Sequence, residues 1–177
     1  LVEVEDSFLI HPLINRTLAA VRDLVALLPP LLEIHINASP AGEVHLLVFG
    51  AEETLKPLDE FFAKIRKAVP DVIGMTGFGR KKKVCSLGRN TLALEVEGLA
   101  LQATEGNFFQ VNWEQNRNMV RTVLDLAELS GGETVLDLYC GTGSIGILIS
   151  PYVKHVIGVE LVPAAIQAAR ENAALNG

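Results

Sequence analysis

Cysteine is scarce: Cys85 and Cys140 are the only two among 177 residues, too few and too far apart for a disulfide framework or a zinc cluster. That usage suits a reducing compartment, and a cytoplasmic protein is expected. No apolar run approaches the roughly eighteen residues of a membrane span, and no charged-then-apolar leader opens the chain, so neither membrane insertion nor secretion is expected. The histidines, at positions 11, 35, 45 and 155, are scattered over different segments. His35 and His45 could approach across a hairpin, yet a zinc site needs more ligands, and no metal is expected. A P-loop and a serine-histidine-acid arrangement are also missing.

Basic residues are outnumbered, 15 against 21, and the net charge of −6 excludes a uniformly basic nucleic-acid binder. The average conceals an asymmetry. Residues 64–89 hold eight basic side chains and one acid, Asp71, so this window carries about +7 and the remainder about −13. Its centre, Arg80, Lys81, Lys82 and Lys83, is a candidate contact for RNA. The alternative is a solvated loop protecting a strand edge, since no aromatic residues are interleaved there for base stacking.

With 49% hydrophobic residues the chain can build one sizeable core or two small ones. Ile14, Leu18, Val21, Val25 and Leu28 recur at helical spacing, and Pro29-Pro30 should stop that helix. Leu32, Ile34 and Ile36 alternate with polar residues as a half-buried strand, Ser39 to Gly42 reads as a turn, and 44–49 as the returning strand. A second amphipathic helix carries Leu58, Phe61, Phe62, Ile65 and Val69, with further strands expected over 71–76 and 91–97. Residues 1–105 thus form a small α+β domain. A connecting stretch leads to Asn112, which can cap a helix whose buried face is Met119, Val120, Val123, Leu124 and Ala127, with Gln115 at the capping-box position.

The most informative segment is Val135-Leu-Asp-Leu-Tyr-Cys-Gly-Thr-Gly-Ser-Ile-Gly146, followed by Val156-Ile-Gly-Val-Glu160. It reads as strand 134–139, glycine loop, helix 144–150, strand 155–160 and terminal acid, with a last helix over 163–175. Gly141, Gly143 and Gly146 let the backbone turn tightly and approach a ligand where a Cβ would collide. Glu160, nineteen residues after Gly141, stands where an α/β nucleotide site keeps the carboxylate for ribose hydroxyls. Its alternative role is to favour the start of the helix entered at Pro163. Asp137, four residues before the first glycine, would repel a pyrophosphate but attract the ammonium and sulfonium of S-adenosylmethionine. It could equally order the loop by a hydrogen bond. Only two strands of a doubly wound sheet are present, so the polypeptide reads as truncated.

From Phe108 onward the chain closely resembles the RNA uracil-C5 methyltransferases, which make 5-methyluridine in transfer and ribosomal RNA. Phe108-Phe-Gln-Val-Asn112, Asp137-Leu-Tyr-Cys-Gly-Thr-Gly143, Glu160-Leu-Val-Pro-Ala-Ala-Ile166 and Glu171-Asn-Ala-Ala-Leu-Asn-Gly177 carry the resemblance. It implies an α/β fold class: a truncated Rossmann-like class I methyltransferase domain over 106–177, preceded by the family's central domain over 1–105. S-adenosylmethionine is the implied cofactor and RNA the implied partner, with oligomeric state left open. Gln110 would reach the cofactor from before the catalytic domain, Tyr139 would line the site and Ser144 would open the glycine-loop helix, beside Asp137, Gly141, Gly143 and Glu160. Gln110 could otherwise cap the 112–128 helix, and Tyr139 could pack under the loop.

In that family a cysteine thiolate adds to C6 of uracil, C5 takes the methyl group, and a glutamate removes the C5 proton. The resemblance places both groups in later strands of the catalytic domain, in a region that also carries motifs of the Asp-Pro-Pro-Arg and Cys-Asn-Pro kind; neither motif occurs here, so no catalytic residue is assigned. Cys140, at a helix N-terminus, and Cys85, after a lysine run, could each have a lowered pKa, but the family uses a different cysteine as nucleophile. Two other readings use the same residues. An NAD- or FAD-binding Rossmann oxidoreductase would share the glycines, and a noncatalytic RNA-binding module would use the 64–89 window alone.

Overall fold

A computed structural model describes residues 6–53, 55, 58–80, 82–104 and 112–177. The chain divides into two compact units, Leu1–Leu92 and Ala93–Gly177.

The first unit is a four-stranded sheet in the order β1-β2-β3-β4, covered by two helices. Helix α1 (Pro12–Asp23) precedes β1 (Leu31–Ala38), which pairs antiparallel with β2 (Val44–Gly50). Helix α2 (Asp59–Ala68) then carries the chain across to β3 (Val72–Phe78), parallel to β2, and β4 (Lys83–Gly88) returns antiparallel beside it. A parallel neighbour requires such a crossover, and the Leu58, Phe61 and Ile65 stripe of α2 buries its apolar face in making it. Val44, Leu46 and Val48 from β2, Val72 and Met75 from β3, and Val21 from α1 complete the core.

Three expectations are corrected here. Helix α1 ends at Asp23, and a 3₁₀ turn over Val25–Leu27 replaces its last turn. Leu28, forced extended by the following proline, cannot continue a helix. Leu32 does not share the buried face of Ile34 and Ile36, because a register shift between Leu31 and Glu33 turns it out to solvent. Lys83 is no loop residue, since it opens β4, a strand that the periodicity did not single out.

The second unit begins within β5 (Thr91–Val96), which forms a hairpin with β6 (Leu99–Thr104). Its two-residue connection, Glu97-Gly98, has positive φ at both positions, the turn whose twist matches paired strands. Helix α3 (Trp113–Ala127) follows, capped by the Asn112 side chain, which accepts from the Gln115 N–H at 3.0 Å. Its buried residues are Asn116 and Val120, while Met119 and Val123 are about 40% exposed, so the inward face is rotated from the expected one. Strands β7 (Thr134–Leu138) and β8 (His155–Val159) pair in parallel through α4 (Ser144–Ile149), and α5 (Pro163–Ala174) ends the unit. One face of this pair carries Leu136, Leu138, Ile157 and Val159, each about half exposed. Among the described residues no helix is long and apolar enough to cross a membrane, and no group of three metal-ligating side chains assembles.

Phe61, 1% exposed, is the largest fully buried side chain of the first unit. Phe61→Ala should lower the unfolding free energy by about 3–5 kcal/mol, read from urea denaturation.

Candidate functional site

Parallel β7 and β8 end side by side, with Leu138 opposite Val159, so Tyr139 and Glu160 leave the sheet at the same edge. The loop Tyr139 to Gly143 crosses that edge before α4 begins. Its turn needs left-handed backbone at Tyr139 (φ 60°), Gly141 (φ 56°) and Gly143 (φ 81°). Glycine takes such angles freely, whereas a β-carbon costs about 1–2 kcal/mol, so Tyr139 is held against its preference. Its ring is 88% exposed and does not pack under the loop.

Two carboxylates order this loop. Glu160 Oε2 accepts from the Gly141 N–H at 3.0 Å, and Oε1 accepts from Leu161 and Val162 at 2.7 and 2.8 Å. The Val162, Gly141 and Leu161 N–H groups stabilise its anion and hold its pKa below the ordinary value. The helix-start role open to Glu160 is the one its bonds to Leu161 and Val162 display, and Oε2 accepts only the Gly141 N–H among the described residues. Asp137 points the other way, and its Oδ2 accepts from the Gly146 N–H at 3.1 Å. Burial pushes its pKa up, and the Gly146 bond opposes this. Gly146 suits this packing, since a Cβ there would lie 3.0 Å from Val156 Cγ1 and 3.2 Å from Asp137 Oδ2, tight contacts that those side chains would have to yield to.

Asp137 thereby takes one of the free N–H groups of the first turn of α4, the groups with which a helix N-terminus would hold phosphate. Cys140 lies between the two acids: burial first, then the charges of Asp137 and Glu160, push its thiol up. The lowered pKa open to a cysteine at a helix N-terminus is reversed. Cys85 is likewise raised, chiefly by burial, and its thiol donates to the Leu55 carbonyl at 3.4 Å, so the lysine run does not activate it.

Structure thus gathers Asp137, Tyr139, Gly141, Gly143, Ser144 and Glu160 around one loop. Gln110 and Lys81 lie outside the described residues. Arg80 is exposed, Lys82 pairs with Glu52 at 3.2 Å, and Lys83 is exposed in β4. Elsewhere in the basic window Lys64 pairs with Glu60, Arg89 with Glu43, and Arg66 lies over the Phe62 ring, so several of its charges are already engaged. Sequence reasoning gave no role to Asn172, whose side chain reaches the Thr142 carbonyl of the loop. The signal available was a pair of asparagines four residues apart in an otherwise alanine-rich helix.

The family model for tRNA (uracil-5-)-methyltransferases matches residues 10–177. An uncharacterized RNA methyltransferase of Staphylococcus aureus strain MSSA476 is 35% identical over 123 residues, covering 68% of this chain and 27% of the relative. One from Lactiplantibacillus plantarum is 28% identical over 198 aligned positions, covering the whole chain and 43% of the relative. The chain therefore spans between about a quarter and under half of these curated relatives' lengths. Among solved structures, the Pyrococcus abyssi tRNA (uracil-54, C5)-methyltransferase in complex with S-adenosyl-L-homocysteine superposes with a TM-score of 0.77 at 19% identity. It covers 99% of this chain and 47% of that one, a likeness of fold. The fold is that of a Rossmann-like methyltransferase, as expected.

Glu160 and Glu133, the latter held at about 2 by the Ser130 side chain and N–H, bind fewer protons folded than unfolded. Their contribution to stability is full above about pH 4.5 and is lost as pH falls through the folded values. Asp137 runs oppositely, because its burial cost is relieved as its raised pKa is crossed from above. Unfolding free energy should therefore fall below about pH 4.5, and Glu160→Gln or Glu133→Gln should each flatten that slope. An unchanged slope in both would remove the two acids from this role.

Proposed function

The chain belongs to the tRNA (uracil-5-)-methyltransferase family, and on that footing we propose that it serves methyl transfer from S-adenosylmethionine to C5 of a uridine in transfer or ribosomal RNA. The observation that carries the reading is the shared carboxyl edge of β7 and β8, where the glycine loop and the Glu160 carboxylate meet. Ligands of open α/β sheets bind at that edge. Residues 1–105 act as the central domain and 106–177 as part of the catalytic domain.

Within this reading Glu160 offers its spare acceptor to the ribose, Tyr139 presents its exposed ring to the cofactor, and the glycine loop admits close backbone approach. Gln110 and Ser144 join them as cofactor contacts. The cofactor supplies an electrophilic methyl group. Asp137 favours a cationic ligand through its field while its hydrogen bond goes to the first turn of α4, and the same acid disfavours the pyrophosphate of NAD or FAD. Neither described cysteine is poised as a thiolate, in keeping with a nucleophile that belongs to other segments of the family. Arg80, Lys81, Lys82 and Lys83 are proposed to face RNA phosphates.

Calorimetric titration of the chain with S-adenosylhomocysteine, with NAD in parallel, tests the cofactor class. The expected result is S-adenosylhomocysteine binding that Glu160→Ala abolishes, and NAD binding in its place would sink the proposal. Salt-dependent RNA binding that persists in Glu160→Ala, without any S-adenosylhomocysteine binding, would favour a noncatalytic RNA-binding module.

A further inference from the structure

The segment Glu171-Asn-Ala-Ala-Leu-Asn-Gly177 presents one carboxamide from the last turn of α5, at Asn172, and one from the turn that follows it, at Asn176, and both meet the backbone of β6. Asn172 Oδ1 accepts from the Gln102 N–H at 2.7 Å, and its Nδ2 donates to the Gln102 carbonyl at 3.3 Å. Asn176 repeats the pattern two strand residues away: Oδ1 accepts from the Ala100 N–H at 2.9 Å and Nδ2 donates to the Ala100 carbonyl at 2.7 Å. Each carboxamide supplies the donor and acceptor that a neighbouring strand would bring. The spacing fits because four helical residues rise about 6 Å and two strand residues about 6.6 Å.

The two asparagines differ in where the second Nδ2 bond goes. Asn176 Nδ2 donates back to the Asn172 carbonyl at 2.8 Å, whereas Asn172, 2% exposed, donates to the Thr142 carbonyl of the glycine loop at 3.1 Å. Independently, a Cβ on Gly143 would stand 3.2 Å from that of Ala169, one turn earlier on the same helix. Helix α5 therefore seats the loop at two adjacent residues, by close approach at Gly143 and by hydrogen bond at Thr142. Only a carboxamide satisfies the Asn172 position. Reversed, or replaced by a carboxylate, it would set oxygen against the Gln102 and Thr142 carbonyls.

We propose that Asn172 is a positioning residue for the cofactor: it locks the glycine loop to the β5–β6 hairpin, so that the loop is held ready for ligand before ligand arrives. The cofactor part of this rests on the proposed function, whereas the lock on the loop does not.

Asn172→Asp and Asn176→Asp should be compared in the whole chain by S-adenosylhomocysteine titration and by amide hydrogen exchange. Asn172→Asp should weaken binding about tenfold and speed exchange at residues 140–144 by a similar factor beyond any change in global stability. Asn176→Asp also removes donors to two carbonyls, at Ala100 and Asn172, but leaves the loop untouched, so it should change both readouts less than about threefold. Equal effects of the two variants on the loop would overturn the proposal. If the unaltered chain ignores S-adenosylhomocysteine, the functional reading fails, and the exchange comparison alone decides the lock. Should Asn172→Asp not fold, Asn172→Ser, too short to reach both carbonyls, is read by the same criteria.

Discussion

The Glu160 carboxylate, with one oxygen on the Gly141 N–H and the other on the N–H groups of Leu161 and Val162, is the interaction around which the second unit is organised. A loop that crosses the end of a parallel strand pair has amides that no ladder can use, and unpaired amides are costly wherever water is excluded. Here the Glu160 side chain takes up three such amides. Because Glu160 directly follows β8, strand pairing itself delivers the carboxylate to the loop that follows β7. The paired strands, the turn and the start of α5 thus share one anchoring point.

That solution constrains the chemistry nearby. Asp137 and Glu160 approach the loop from different sides, and their charges combine with burial to keep the Cys140 thiol protonated. A reactive thiolate would need cationic surroundings, and this site has the opposite field. The same field argues against an anionic ligand at the first turn of α4, where the Gly146 N–H is already taken. The electrostatics favour a neutral or cationic group over an anion beside the loop.

Much of this was legible in the sequence, and the reasons are physical. Strands β7 and β8 are short apolar runs bounded by glycine or charge, and a helix must separate them if they are parallel, so the βαβ unit and its terminal acid were readable from spacing alone. Contacts across the chain were less legible. The inward face of α3 is Asn116 and Val120, because tertiary packing and not helical periodicity selected it. Leu32 left its expected face through a one-residue register shift, which no alternation pattern encodes. Strand β6 escaped because Glu97 occupies a left-handed position usually marked by asparagine or glycine, so the turn signal was weak. The net charge of the basic window was less legible for a related reason: charge counted along the chain ignores the acids that fold against it, as Glu52 does at Lys82 and Glu43 at Arg89.

The division of labour among acids and amides around the loop follows from what the backbone offers at each point. Where the loop and the first turn of α4 present N–H groups, at Gly141 and Gly146, the sequence places carboxylates, which accept and do not donate. Where loop and strand together present two carbonyls and one N–H, at Thr142 and Gln102, it places a carboxamide, which does both. Exchanging the two kinds of side chain would leave lone pairs facing lone pairs at one end and unmatched donors at the other, although each exchange alters a single atom. The pattern of Asp, Glu and Asn in this segment is therefore fixed by the donors and acceptors of an irregular backbone, and a site that admits ligand backbone-close must settle that arrangement before any ligand is present.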